Sequence, residues 1–275
     1  MPELPEVETV CRQLNEALRG QVVRRVTVRD QKLDFAIFDD LIEGMRVEYV
    51  TRYGKQVVFA LKPRRSRYPD HFLVVHLRMT GRLHVTAKND PIEESGVQPR
   101  FSIELDYDTV HFRDTRRFGT AFLTMMDEEF EPKGLDPTLP EFNWRRLKKL
   151  INGSTTPVKN WLLRQDRLVG IGNIYASEIC FKAGLHPLTP AGKISDAGLK
   201  EIAKATRSIL KAAIRHCGTT FSDFQDTTGS TGGYVKYLKV YGREGEPCKT
   251  CKTAIERITQ AQRSTFFCPA CQPYG

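Results

Sequence analysis

Apolar side chains return at three- and four-residue spacing early in the chain: Val7, Val10, Leu14 and Leu18, with Cys11 on the same face. That spacing predicts a helix over 5–18, stopped by Gly20. From residue 21 the period shortens. Stretches 21–28, 45–61, 71–85, 101–112 and 120–125 alternate or are rich in β-branched and aromatic residues, with turn-like or charged breaks at 62–70 and 87–99. Strands that follow one another without intervening helices predict an antiparallel sandwich or barrel. Acid, Pro and Gly crowd 127–140, where a domain boundary is expected. Beyond it the pattern turns helical, over 144–151, 158–169, 174–183 and 196–216. A polar stretch rich in Gly, Ser and Thr, 218–234, then reads as a mobile loop.

Composition narrows the class. In 275 residues, 42 Lys and Arg stand against 33 Asp and Glu, a formal charge of +9. Such an excess favours polyanionic partners. No apolar run reaches the ~20 residues that span a bilayer. The acidic, proline-rich start is unlike an export signal, so a cytoplasmic protein is expected.

The cysteines add chemistry. Four of the seven, Cys248, Cys251, Cys268 and Cys271, form two C-x2-C knuckles sixteen residues apart. Each knuckle offers two thiolates, and four complete a tetrahedral zinc site with no position open for a catalytic water. One structural Zn2+ follows, holding a hairpin over 252–267 whose turn is expected at Gln262–Ser264. Arg263 would then sit at the tip, as a solvated turn residue or as a guanidinium aimed at phosphate. "GIGNIY" joins two helical patterns, with Asn173 as the expected N-cap and N–H groups suited to phosphate. Lys55 stands at a turn in "RYGKQVVF". In "DTRRFG", Phe118 reads as core on its own, or as a wedge for a base stack if exposed.

The opening "MPELPEVETV" poses a question of its own. Glu3 and Glu6 suit a helix N-terminus through its dipole. Pro2 is not explained that way. Removal of Met1 would leave it a secondary amine, a nucleophile for a carbonyl-like carbon, with Glu3 beside it to move protons.

These pieces, with "VVHLRMTGRL", "RDTRRFG", "GIGNIYASE", "VYGREGEPCKTC" and "QRSTFFCPAC", occur in one order along nearly the whole chain. Together they resemble the bacterial formamidopyrimidine-DNA glycosylase family. The resemblance implies an α+β, multidomain fold. An N-terminal β-sandwich with an N-terminal helix would span 1–130. A helix-two-turns-helix domain would span 131–235 and carry a lesion-capping loop, 218–234. A zinc-finger β-hairpin would span 236–275.

It also implies a DNA glycosylase and abasic-site lyase acting as a monomer on damaged duplex DNA, its target nucleotide flipped out of the stack. Pro2 would attack the anomeric carbon, Glu3 donate the proton and Glu6 support the sugar. Lys55 would assist β-elimination and Arg263 δ-elimination. Met79, Arg116 and Phe118 would fill the gap in the duplex. His76, Lys159, Asn173 and Tyr241 would contact DNA. The family's His-rich segment before Phe101 is replaced by "GVQPRF", so either Arg100 is expected to contact DNA in its place or that contact is lost. Arg164 stands where an Asp is usual, Thr80 occupies a variable position, and 31–38 departs from the family pattern. A preference for oxidised pyrimidines, a DNA-binding protein without catalysis and a zinc-ribbon interaction module are the competing readings. Intact Pro2, Glu3 and Lys55 speak against the second, and "PELPEVE" and "RRFG" against the third.

Overall fold

Helix α1 (Leu4–Leu18) buries the face that its periodicity marks, and Gly20 follows it at φ 89°, the left-handed conformation that ends a helix without a Cβ clash. In this computed structural model the described residues are 1–30, 32–33, 39–67, 69–88, 90, 98–220 and 224–274. Most of the atypical segment 31–38 therefore lies outside them. The chain divides into two units, Met1–Glu131 with His216–Gly233, and Pro132–Arg215 with Tyr234–Gly275.

After α1 the first unit runs β1 (Arg25–Val28), α2 (Asp39–Ile42), β2 (Arg46–Tyr53), β3 (Gln56–Lys62) and β4 (His71–His76). It continues with β5 (Gly81–Ala87), β6 (Phe101–Glu104), β7 (Asp108–Asp114) and β8 (Thr120–Thr124). Two four-stranded antiparallel sheets result, ordered β1-β6-β7-β5 and β2-β3-β4-β8. They form a β-sandwich whose core takes Val57, Phe59, Leu73 and Val75 from one sheet, Leu83, Ile103, Val110 and Phe112 from the other, and Val10 and Leu14 from α1. Strand β3 is buried on both faces, since Val58 joins Val74 and Phe130 in a second apolar cluster. That is why "VVFAL" shows no alternation.

Three expected strands are each two. Stretch 45–61 folds at Gly54 (φ 60°), and Tyr53 pairs with Gln56 across a two-residue turn, the glycine-first hairpin class. Stretch 71–85 divides between the two sheets, with the Gly81 N–H donating to Leu77 O at 2.9 Å. A Cβ on Gly81 would lie 2.3 Å from that oxygen, so the turn admits only glycine. Stretch 101–112 is the hairpin β6–β7.

The second unit holds α3 (Trp144–Ile151), α4 (Val158–Leu162), α5 (Asn173–Lys182), α6 (Asp196–Arg215) and the hairpin β9 (Glu256–Gln260) with β10 (Arg263–Phe267). Trp161, Leu162, Tyr175, Ile179, Ile202 and Ile209 are among its buried side chains. Helix α4 stops short of the expected 169. Gln165 instead braces the turns before α5, accepting from Gly170 N and donating to Ile171 O, both at 2.9 Å. No described helix is long and apolar enough to cross a membrane.

The segment expected as a loop of the helical domain belongs, over His216–Gly233, to the first unit. Gln13 on α1 donates to Asp226 at 2.9 Å, and Val85 N donates to Thr227 O at 3.0 Å. Residues 221–223 of that segment lie outside the described ones.

Candidate active site and metal centre

Met1 is exposed, but the residues that follow it are built into the fold. Pro2 is buried, and Glu3 is the N-cap of α1 in a reciprocal capping box with Glu6. Glu3 N donates to Glu6 Oε2 at 2.8 Å, while the Glu3 side chain accepts from the Glu6 backbone. Two first-turn N–H groups are thereby satisfied beside a favourable dipole. The other oxygen, Glu6 Oε1, accepts from Thr219 N at 2.6 Å. Gly218 stands at φ 80°, and a Cβ there would approach Glu6 Oε1 to 2.6 Å. Glu6 thus ties the start of the chain to a strand of backbone 213 residues away. No sequence pattern reveals that partner.

Lys55 is buried at the second position of the β2–β3 turn. Arg52 carries that turn: its Nε donates to Glu8 Oε2 and its Nη1 to Gly54 O, both at 2.9 Å. The turn therefore rests on α1. His76 pairs with Gln56, and burial pushes its pKa down to about 4, helped by the charges of Arg78 and Lys55. Its Nδ1 accepts from Arg78 N at 3.1 Å. The proton of the neutral ring is then on Nε2, a donor suited to phosphate. Cys11 and Cys180 are buried, and burial pushes both thiols up, away from reactivity.

Met79, Arg116 and Phe118 converge from the β4–β5 and β7–β8 turns. Arg116 lies 4.8 Å over the Phe118 ring and its Nη1 donates to Met79 Sδ at 3.5 Å. Phe118 is 53% exposed and Met79 42%, so neither is a core residue. Arg100 requires a correction. It was expected at the surface on DNA, but it is buried, donating Nε to Asp30 Oδ2 at 2.6 Å and Nη1 to Gly119 O at 2.6 Å and Asp114 Oδ2 at 3.2 Å. Asp30, bonded by Arg117 above all and also by Arg100, holds its carboxyl well below the usual range.

In the second unit the expected residues gather around Ser264. Lys159 Nζ donates to Asn173 Oδ1 at 2.5 Å, and Asn173 Nδ2 to Ser264 O at 2.8 Å and Tyr241 OH at 3.4 Å. Lys159 is fully buried, so its expected direct touch on DNA becomes support for Asn173. Gly172 is the N-cap of α5, and Asn173 is its first residue. The hairpin turn is Ala261–Gln262, both at positive φ (45° and 60°), and Arg263 opens β10, exposed. Two left-handed residues make the tight turn whose twist matches the strands. Arg164 pairs at 2.7 Å with Asp166. Sequence reasoning missed Glu178. Its buried carboxylate accepts the N–H groups of Lys239, Val240 and Tyr241, while burial pushes its pKa up. The available signal was a carboxylate inside the apolar run of α5.

The four knuckle sulfurs lie within 4.8 Å of one another. Cys251 and Cys268 are 3.4 Å apart and Cys248 and Cys271 3.9 Å. Thiolates about 2.3 Å from one zinc stand about 3.8 Å apart in a tetrahedron. Thr250 N and Cys271 N also point at ligand sulfurs, at 3.4 and 3.5 Å. The donor set fits one structural zinc.

A sandwich with a buried proline at position 2, a helical unit and a four-thiolate hairpin define a known class. Residues 1–121 match the formamidopyrimidine-DNA glycosylase N-terminal domain, 133–225 its H2TH domain, and 245–273 the zinc finger found in FPG and IleRS. The formamidopyrimidine-DNA glycosylase of Paraburkholderia phymatum is 37% identical over 282 residues, covering 99% of this chain and all of that one. Among solved structures, Lactococcus lactis Fpg in complex with abasic-site DNA superposes with a TM-score of 0.88 at 29% identity, over 99% of this chain and 100% of that one. MutM (Fpg) of Thermus thermophilus does so with a TM-score of 0.85 at 35% identity, over the whole of both chains. The chain belongs to the formamidopyrimidine-DNA glycosylase family.

Proposed function

We propose that this chain excises oxidised purines, 8-oxoguanine and formamidopyrimidines, from duplex DNA and then cuts the strand as an abasic-site lyase, with Pro2 as nucleophile. The carrying observation is the frame around Pro2: a buried proline at a helix entrance, with Glu3 and Glu6 fixed by the capping box and by Thr219. A rigid secondary amine beside held carboxylates supports covalent catalysis on a sugar carbon.

The steps follow from that placement. With Met1 removed, the Pro2 nitrogen attacks C1′ of the flipped nucleotide. The glycosidic electron pair leaves with the base, which takes up the proton that the Pro2 nitrogen loses, and Glu3 protonates O4′ as the sugar ring opens to an iminium. The iminium acidifies C2′–H, whose loss expels the 3′-phosphate. A second elimination expels the 5′-phosphate, and water releases Pro2. Lys55 assists the first elimination and Arg263, by neutralising phosphate charge, the second. Met79, Arg116 and Phe118 fill the vacated stack. His76, Asn173 and Tyr241 bind phosphates. Zinc holds the hairpin that carries Arg263, and with four thiolates it has no position open for chemistry. The reading needs one chain and the cytoplasm, where bacterial DNA lies.

The test is single-turnover cleavage of duplexes carrying one 8-oxoguanine, formamidopyrimidine or oxidised pyrimidine. The expected result is a one-nucleoside gap with phosphates at both ends, fastest for the purines. Bound but uncut DNA would overturn the enzymatic reading, and faster pyrimidine excision the substrate assignment.

A further inference from the structure

We infer that Thr80 is a positioning residue that locks the two wedge-bearing turns together, through a buried ion network built on Asp114, Arg100 and Asp30. The inference rests on the proposed wedge role of Met79, Arg116 and Phe118.

Met79 sits in the β4–β5 turn, while Arg116 and Phe118 sit in the β7–β8 turn. Each turn includes a non-glycine residue in the left-handed region, Arg78 (φ 55°) and Arg117 (φ 56°), a conformation that persists only when surroundings enforce it. Thr80 supplies the link. Its hydroxyl donates to Asp114 Oδ1 and accepts from Arg116 N at 3.2 Å. One side chain on the first turn therefore fixes the backbone of the wedge arginine on the second.

Asp114 is the anchor. Its side chain is fully buried, and its other oxygen accepts from Gly119 N at 2.6 Å and Arg100 Nη1 at 3.2 Å. Arg100 also holds Gly119 O at 2.6 Å, so both polar groups of the residue after Phe118 are fixed. Gly119 cannot be replaced, since a Cβ would lie 2.7 Å from Phe112 Cζ. Asp30 completes the network by pairing with Arg100 and Arg117. Arg100 is buried between the two carboxylates, and the exposed Arg117 closes the network at the surface and balances the second negative charge. In this chain Arg100 occupies ground where a DNA contact was expected, and its work is internal. Placement matters because a wedge enters a base stack only in register, and small misplacements of such groups weaken the step they serve.

The experiment compares wild type, Thr80→Val, Thr80→Ser and Phe118→Ala, each alone, and Thr80→Val combined with Phe118→Ala. Two single-turnover rates are read: excision of 8-oxoguanine from a duplex, and cleavage of a duplex with a preformed abasic site. 2-Aminopurine beside the lesion reports unstacking, and melting temperatures report folding. Thr80→Val is expected to lower the ratio of excision to abasic cleavage about tenfold, to reduce the 2-aminopurine signal and, since Asp114 loses a bond to its carboxylate, to melt several degrees lower while staying folded at the assay temperature. Thr80→Ser restores the ratio. The double variant is expected to match Phe118→Ala, because both act through the wedge. An unchanged ratio in Thr80→Val, equal losses of both rates, or additive losses in the double variant would overturn the inference while leaving the proposed function intact. Failure of wild type on every lesion would overturn that function and this inference with it.

Discussion

Replacing Glu6 with Gln exchanges one oxygen for an NH2 at the point where the chain's start meets its far segment. Glu6 Oε2 accepts from Glu3 N at 2.8 Å and Oε1 from Thr219 N at 2.6 Å. The amide has one acceptor, so one N–H keeps a neutral bond and the other faces a donor. A hydrogen bond to a charged group contributes about 1.5–3 kcal/mol and a neutral one about 1. Losing one and weakening the other removes about 3 kcal/mol. The lost attraction between carboxylate and helix N-terminus adds about 0.5 kcal/mol. For a unit of this size, 1 kcal/mol lowers melting by about 2–4 °C, so the variant should melt roughly 7–14 °C lower. Calorimetry reads that shift, and Schiff-base trapping on abasic DNA should slow about tenfold or more as the Pro2 frame loosens. A shift under about 2 °C with wild-type trapping would refute the reasoning.

Other consequences follow from the same geometry. Arg100→Met should destabilise the first unit by about 3–5 kcal/mol by breaking a buried pair, yet leave the salt slope of DNA binding unchanged. A slope smaller by about one would restore Arg100 to a phosphate contact. Cys248→Ser should lose its zinc in a metal assay and bind DNA at least about tenfold more weakly, because the hairpin no longer holds Arg263; wild-type affinity in the zinc-free variant would contradict this. Burial holds His76 and His111 down at about 4, against 6.5 when unfolded. The unfolded chain then binds more protons between those values, so stability should fall as pH drops from 6.5 toward 4. His76→Gln should flatten part of that fall, and an unaltered melting profile would count against the buried neutral ring.

Periodicity exposed α1, α3 and α6 because each buries one face at helical spacing, and the knuckle spacing exposed the metal site because four thiolates need little context. Turns were harder. Gly54 and Gly81 divide stretches that each read as one strand, and nothing local says that β4 and β5 enter different sheets. Pro2 and Glu3 suggested a nucleophile and its proton carrier, since the helix dipole accounts for the acids but not for the proline, while Glu6 took its role only from the family resemblance. Their support was not legible, because Thr219 and Gly218 meet Glu6 only after folding. Arg100 shows the converse. An arginine beside a loop reads as a surface cation until Asp30 and Asp114 fold around it, and long-range pairing of that kind leaves no mark on spacing. Lys159 likewise read as a DNA contact, but burial under Asn173 and Ser264 made it a support.

The central claim is that Pro2 forms the covalent bond to the sugar. Borohydride reduction of the reaction on a duplex with one 8-oxoguanine opposite cytosine, run with wild type and Pro2→Gly after intact mass confirms loss of Met1, tests it most directly. The account predicts a reduced adduct with wild type, mapped by peptide mass to Pro2, and at most a trace with Pro2→Gly. An adduct mapped to Lys55 or another lysine, or equal trapping by both proteins, would contradict it.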